Sequence, residues 1–150
     1  MTGPATTDDP KRPLAIVAGF GPVGRLVVDG LASAGFAVSI LELNAETVKR
    51  QSALGRTIRL GDARRADDLL AAGLENASTL ILTMPGEDDA LEACRVANAI
   101  RPDVFITART NFLSKGLLAR AGGADHVVVE ELVTAEAMRD AVLGWCANVR

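Results

Sequence analysis

The chain reads as a three-layer αβα protein, built on a doubly wound, parallel, six-stranded sheet with helices on both faces. Three observations lead there. Six short apolar runs of strand type alternate with stretches of helical period, joined by short connections. The first run, Leu14 to Ala18, is apolar on both faces, as a central strand of a parallel sheet must be. It leads straight into Gly-x-Gly-x-x-Gly at Gly19, Gly21 and Gly24, which opens a helix-period stretch and makes the fold Rossmann-like. At 150 residues the chain has the size of one domain. A closed α/β barrel takes ~200 residues or more, so the open sheet is favoured.

Residues 1–13 carry three prolines and two aspartates without apolar periodicity, and are expected to form a disordered leader before a single domain over 14–149. After the glycine turn, Pro22 suits a first helical position, where its fixed φ fits and no N–H is needed. Val23, Leu26, Val27, Gly30, Leu31 and Ala34 then fall at helical spacing, and Gly35 ends the helix. Phe36 to Leu43 is the second strand. Asn44 caps a helix to Leu54, with Gly55 as its stop. Thr57 to Leu60 is the third strand, running into Gly61-Asp62-Ala63. Asp67 and Asp68 favour the first turn of a helix that closes at Gly73.

Thr79 to Met84 is the fourth strand, broken by Pro85-Gly86. Glu87, Asp88 and Asp89 open a helix to Ile100, ended by Arg101-Pro102. Val104 to Ala108 is the fifth strand, with Arg109 immediately after it. Asn111 caps a helix that ends at Gly122-Gly123, and His126 to Val129 is the sixth strand. The last helix is expected from Thr134 to Asn148, with an apolar stripe of Met138, Ala141, Val142, Trp145, Cys146 and Val149.

Composition excludes several classes. With 49% apolar and 23% charged residues the chain is globular. A net charge of −3 gives no electrostatic footprint for nucleic acid or anionic lipid. No apolar run approaches the ~20 residues of a membrane span, and none resembles a secretion signal. Cys94 and Cys146 lack C-x-x-C spacing and sit on apolar helix faces, which suits reduced, buried thiols in the cytosol. One histidine and two distant cysteines do not make a metal ligand set.

The glycine turn carries the chemistry. One glycine allows the turn, one lets the backbone approach an anion, and one lets helix and strand pack closely. The helix adds unpaired N–H groups and the positive end of its dipole. Glu42, 18 positions beyond Gly24, stands where such folds place an acid to accept hydrogen bonds from ribose hydroxyls. A carboxylate there argues against a 2′-phosphate. Asp62 borders the adenine side of the same crevice or caps the helix that follows. Arg109, on the rim where open α/β sheets bind ligands, meets a phosphate, a partner chain or solvent. His126 reads as structural. Glu87-Asp88-Asp89 and Glu130-Glu131 read as solvated helix starts. Trp145 reads as core or a subunit contact.

With these residues assembled, the chain resembles the potassium-conductance regulator N-terminal domain, also called TrkA-N, RCK or KTN. The resemblance covers Leu14 to about Leu143. It rests on Gly19-Phe20-Gly21-Pro22-Val23-Gly24, Ile40-Leu41-Glu42-Leu43-Asn44, Gly61-Asp62-Ala63-Arg64-Arg65 and Ile106-Thr107-Ala108-Arg109, with Ala121 to Val128 similar to the family's sixth-strand entry. It implies phosphate at Gly19, Gly21 and Gly24, ribose at Glu42, and base at Asp62 and Ala63. Arg109 matches an arginine that approaches ligand phosphates or the dimer partner. The candidate site is thus Gly19, Phe20, Gly21, Pro22, Val23, Gly24, Glu42, Leu43, Asn44, Asp62, Ala63 and Arg109, with no catalytic or metal-ligating residue. Pro22 stands where many members have a basic residue, and Asn44 where many have a second acid.

The resemblance implies a cytoplasmic regulatory domain, homodimeric, that binds AMP, ADP, ATP or NAD(H). It would act on a membrane potassium transporter, channel or antiporter, either a separate polypeptide or the protein from which this domain is excised. The alternative is a small NAD-dependent oxidoreductase. Hydride transfer needs a substrate pocket and usually a proton donor or acceptor. The chain has no tyrosine for a Tyr-Lys mechanism, one histidine, and no residues left for a substrate domain.

Overall fold

The structure, a computed structural model, describes residues 12–149, so the leader expected over 1–13 lies almost wholly outside the described residues. The elements in order are β1 (Leu14–Ala18), α1 (Pro22–Ser33), β2 (Ala37–Glu42), α2 (Ala45–Ala53), β3 (Ile58–Leu60) and α3 (Ala66–Ala71). A single 3-10 turn at Leu74–Asn76 follows, then β4 (Ala77–Leu82), α4 (Glu87–Ile100), β5 (Phe105–Thr110), α5 (Leu113–Ala121), β6 (His126–Val129) and α6 (Glu130–Cys146). The six strands form one sheet in the order β3-β2-β1-β4-β5-β6, every neighbouring pair parallel. Chain order reverses between β1 and β4. That reversal leaves a crevice at the carboxyl ends of the central strands.

Alternation along the strands sorts the apolar residues into two layers, because successive side chains point to opposite faces. Ile16, Ala18, Leu41, Leu80, Leu82, Ile106 and Ala108 join Leu69, Ala93, Cys94, Ala97 and Ala119 in the larger core, under α3, α4 and α5. Val17 and Ile40 join Phe20 and Val28 in a smaller one, under α1. The smaller core stops short. On its side of the sheet Phe105 is 51% exposed and Val128 38% exposed, so among the described residues the β5–β6 half of that face is left largely uncovered.

Several boundaries differ from the sequence reading, each for a local reason. In α1 the buried line is Gly24 and Val28 with Val27 and Leu31 packed beside them, while Val23, Leu26 and Ala34 face solvent. Close packing of Gly24 against the turn rotates the helix away from the stripe that hydrophobicity alone suggests. β4 begins two residues earlier than expected, at Ala77, and Arg109 lies inside β5 rather than after it. α6 begins at Glu130, directly off β6, rather than at Thr134, and none of its residues is buried. Trp145 and Cys146 are therefore exposed instead of belonging to a core. Cys94 is buried, and burial beside the Asp125 charge pushes its thiol up to about 11.

Candidate functional site

The crevice at the switch point is a cavity of about 340 Å³. Its wall includes Gly19, Phe20, Gly21, Pro22, Val23 and Gly24 from the turn and the start of α1, Glu42 at the end of β2 with Leu43 after it, Asp62 and Ala63 after β3, and Arg109 of β5. Eleven of the twelve residues singled out by sequence thus meet at one place. Asn44 is the exception. Its Oδ1 accepts the Thr47 N–H at 3.1 Å as the N-cap of α2, and it does not line the cavity.

The three glycines are required for different reasons. Gly19 has φ +105, a left-handed conformation costly for any side chain, and donates its N–H to the Leu41 carbonyl at 2.8 Å. A Cβ there would stand 2.7 Å from Thr83 Oγ1. At Gly24 a Cβ would stand 2.1 Å from the Gly19 carbonyl oxygen, so the contact between α1 and the turn exists only because the side chain is absent. Gly21 differs: its φ is −80 and a Cβ there meets nothing within 4 Å. It is the N-cap of α1, no side chain caps that helix, and no acid occupies its first turn. The α1 N-terminus therefore presents free backbone donors and positive dipole to the cavity.

Glu42 has a role inside the turn. Its Oε2 accepts the Phe20 N–H at 2.8 Å and its Oε1 the Asn44 N–H at 3.3 Å, which ties β2 to the glycine turn. An ionised carboxylate has about four acceptor sites, so lone pairs remain for a ligand hydroxyl. The Phe20 ring turns into the smaller core, with the Arg25 guanidinium over it at 4.7 Å.

Two participants were not foreseen. Thr83, just past β4, is 5% exposed, and its hydroxyl lies 2.9 Å from the Ala18 carbonyl and 3.1 Å from that of Gly19. It pins the turn to the neighbouring strand; a small hydroxyl residue closing the β4 run was its only sequence signal. Arg64 lies over the far wall, bonding the Asp62 carboxylate at 2.7 Å and Asp89 of α4 at 3.0 Å. Hydrogen bonding from Arg64 holds the Asp62 carboxyl below its usual range against the opposing effect of partial burial, so it is ionised at neutral pH. Asp62 does not cap α3, whose N-cap is Arg65.

The first-turn acids of α4 also have partners instead of only solvent. Glu87 accepts the Asn111 and Phe112 N–H groups at 2.6 and 2.9 Å, Asp88 pairs with Lys115 at 2.8 Å, and Asp89 takes Arg64. The N-cap of α5 is Phe112, not Asn111, and Glu131 closes that end by accepting the Leu113 N–H at 3.0 Å. His126 is exposed at the start of β6 and does not line the cavity. Among the described residues no group of three or more His, Cys, Asp or Glu is placed to hold a metal ion.

Sheet order, switch-point cavity and glycine turn together define a Rossmann-like α/β domain. The TrkA-N domain family matches residues 15–130, and the chain belongs to that family. It is 31% identical over 124 residues to the putative cation/proton antiporter YbaL of Escherichia coli K12, a match that spans 83% of this chain and 22% of YbaL. The crystal structure of the TrkA-N domain of E. coli YbaL superimposes with a TM-score of 0.82 at 29% identity, covering 87% of this chain and 96% of that one. The Kef C-terminal domain of Shewanella denitrificans, in AMP-bound form, gives 0.77 at 26% identity, covering 89% and 80%. The GsuK channel structure bound to ADP shares the fold, with a TM-score of 0.75 at 22% identity over 85% and 33%. Among the described residues no helix is long and apolar enough to cross a membrane.

Proposed function

We propose that residues 14–149 form a nucleotide-sensing regulatory domain that binds an adenine nucleotide in the switch-point cavity and controls a membrane cation transporter, channel or antiporter from the cytoplasmic side. The observation that carries this is the meeting, in one cavity, of an uncapped helix N-terminus, the Glu42 carboxylate and the Asp62-Ala63 segment. The first suits phosphate, the second ribose, and the third a base. The AMP-bound Kef domain and the kinship with YbaL support the ligand class and the kind of partner.

A thermal-shift panel of AMP, ADP, ATP, NAD and NADH tests the reading. At a hundredfold excess over its Kd, a ligand of the native state adds ~2.7 kcal/mol. For a domain of this size that raises Tm by roughly 5–10 °C. Glu42→Ala is expected to abolish most of the increment. It also lowers the unliganded Tm, because the Phe20 and Asn44 N–H groups lose their acceptor. If no member of the panel stabilises the native chain, the reading fails.

The regulatory unit on this reading is a homodimer. On α6, Val133, Met138, Val142, Leu143 and Trp145 are 51–66% exposed, and the β5–β6 half of the sheet is bare beside them. Exposed apolar surface on that scale marks an association site. Light scattering at micromolar concentration should give twice the chain mass; a monomer would exclude this mode of action.

A further inference from the structure

Arg109 belongs to two places at once. It lines the switch-point cavity, and it also lines a second, apolar cavity of about 420 Å³ between α1, the bare ends of β4 to β6, and the root of α6. Its Nη1 donates to the Thr83 carbonyl at 2.8 Å, and its Nε donates to Glu130, the first residue of α6. The helix has few other ties to the domain. Glu131 donates its N–H to the Asn111 carbonyl at 3.1 Å and accepts the Leu113 N–H, and no α6 residue is buried. A 17-residue helix is thus steered from its first turn.

We infer that Arg109 is a shared cation that couples the cavity to α6: an anionic ligand draws the guanidinium off Glu130 and frees the helix to take a second orientation. This rests on the nucleotide reading above, and names how that site is read out. The exchange is physically easy. The Arg109 and Glu130 side chains are 24% and 37% exposed, so the pair is only partly shielded from water and holds less firmly than a fully buried one. A phosphate in the cavity offers the same guanidinium a bidentate partner of higher charge beside a helix N-terminus. A ligand acts on α6 only through such unequal binding of two states, and the coupling is reciprocal. Removing Glu130 as a competitor therefore tightens binding.

Trp145, the only tryptophan of the chain, lies 66% exposed on α6 and reports on it. ATP and NAD serve as probes, with affinity read by calorimetry and α6 by Trp145 emission. In the native chain the nucleotide shifts the emission. In Glu130→Gln the emission of the unliganded protein is already shifted, added nucleotide moves it no further, and affinity rises about three- to fivefold. Glu130→Asp keeps the charge but withdraws it by one methylene, and is expected to behave as Glu130→Gln does. A Glu130→Asp that matches the native chain while Glu130→Gln binds more tightly would mean simple charge repulsion and overturn the coupling. So would Glu130→Gln with native affinity and a native Trp145 response. Failure of these probes and of AMP, ADP and NADH to bind the native chain would instead remove the nucleotide reading itself.

Discussion

Gly24→Ala is expected to destabilise the fold by about 3 kcal/mol or more, the range of severe overpacking. The added Cβ would lie 2.1 Å from the Gly19 carbonyl oxygen, 2.9 Å from its carbon and 3.0 Å from Thr83 Oγ1. Two of these three atoms are backbone and cannot rotate aside. Relief requires lifting α1 off the turn, which pulls Val28 out of the smaller core and loosens the Thr83 contacts that pin the turn. Marginal domains hold only ~5–15 kcal/mol in total, so this is a large fraction. Urea denaturation should show a lower midpoint at unchanged slope, and Tm should fall by roughly 6–12 °C. A loss under about 1 kcal/mol would mean that α1 can slide, and that the third glycine is not a packing residue.

How much of this was legible beforehand depends on whether the signal was local. The strand alternation, the glycine turn and the Asn44 cap are local, and each lies where the sequence puts it. So does the gathering of Glu42, Asp62 and Arg109, which follows from parallel strands whose carboxyl ends share one edge. What the sequence did not disclose is non-local. Thr83 acts across β1, and Arg64 acts on Asp89 of a different helix. Glu87 and Glu131 cap a helix that belongs to neither of their own elements. A capping scan from Asn111 looks along the chain and misses carboxylates arriving from the side. The α6 stripe was visible as an apolar pattern, but periodicity does not say whether a stripe meets its own sheet. Among the described residues none of it is buried, and the exposed half of the sheet is the other side of that observation.

Gly21→Ala is expected to leave the fold nearly untouched and to remove most of the ligand affinity, the opposite of Gly24→Ala. Among the described residues nothing lies within 4 Å of a Cβ at Gly21, and its φ of −80 with ψ −165 suits alanine. Losing glycine at an N-cap costs up to ~1 kcal/mol, and the stiffer unfolded chain returns ~0.4–1 kcal/mol, so the two nearly cancel. No internal reason is left for glycine at this position. On the proposed reading the glycine leaves room for an anion to approach the backbone where a methyl would stand. Charge-assisted bonds to backbone N–H groups are worth ~1.5–3 kcal/mol each. Blocking one or two of them should therefore weaken binding of the stabilising nucleotide about ten- to a hundredfold or more by calorimetry. Tm without ligand should stay within ~4 °C of the native value. Native affinity in a folded Gly21→Ala protein would move the phosphate away from the turn, and with it the site on which the sensor reading depends.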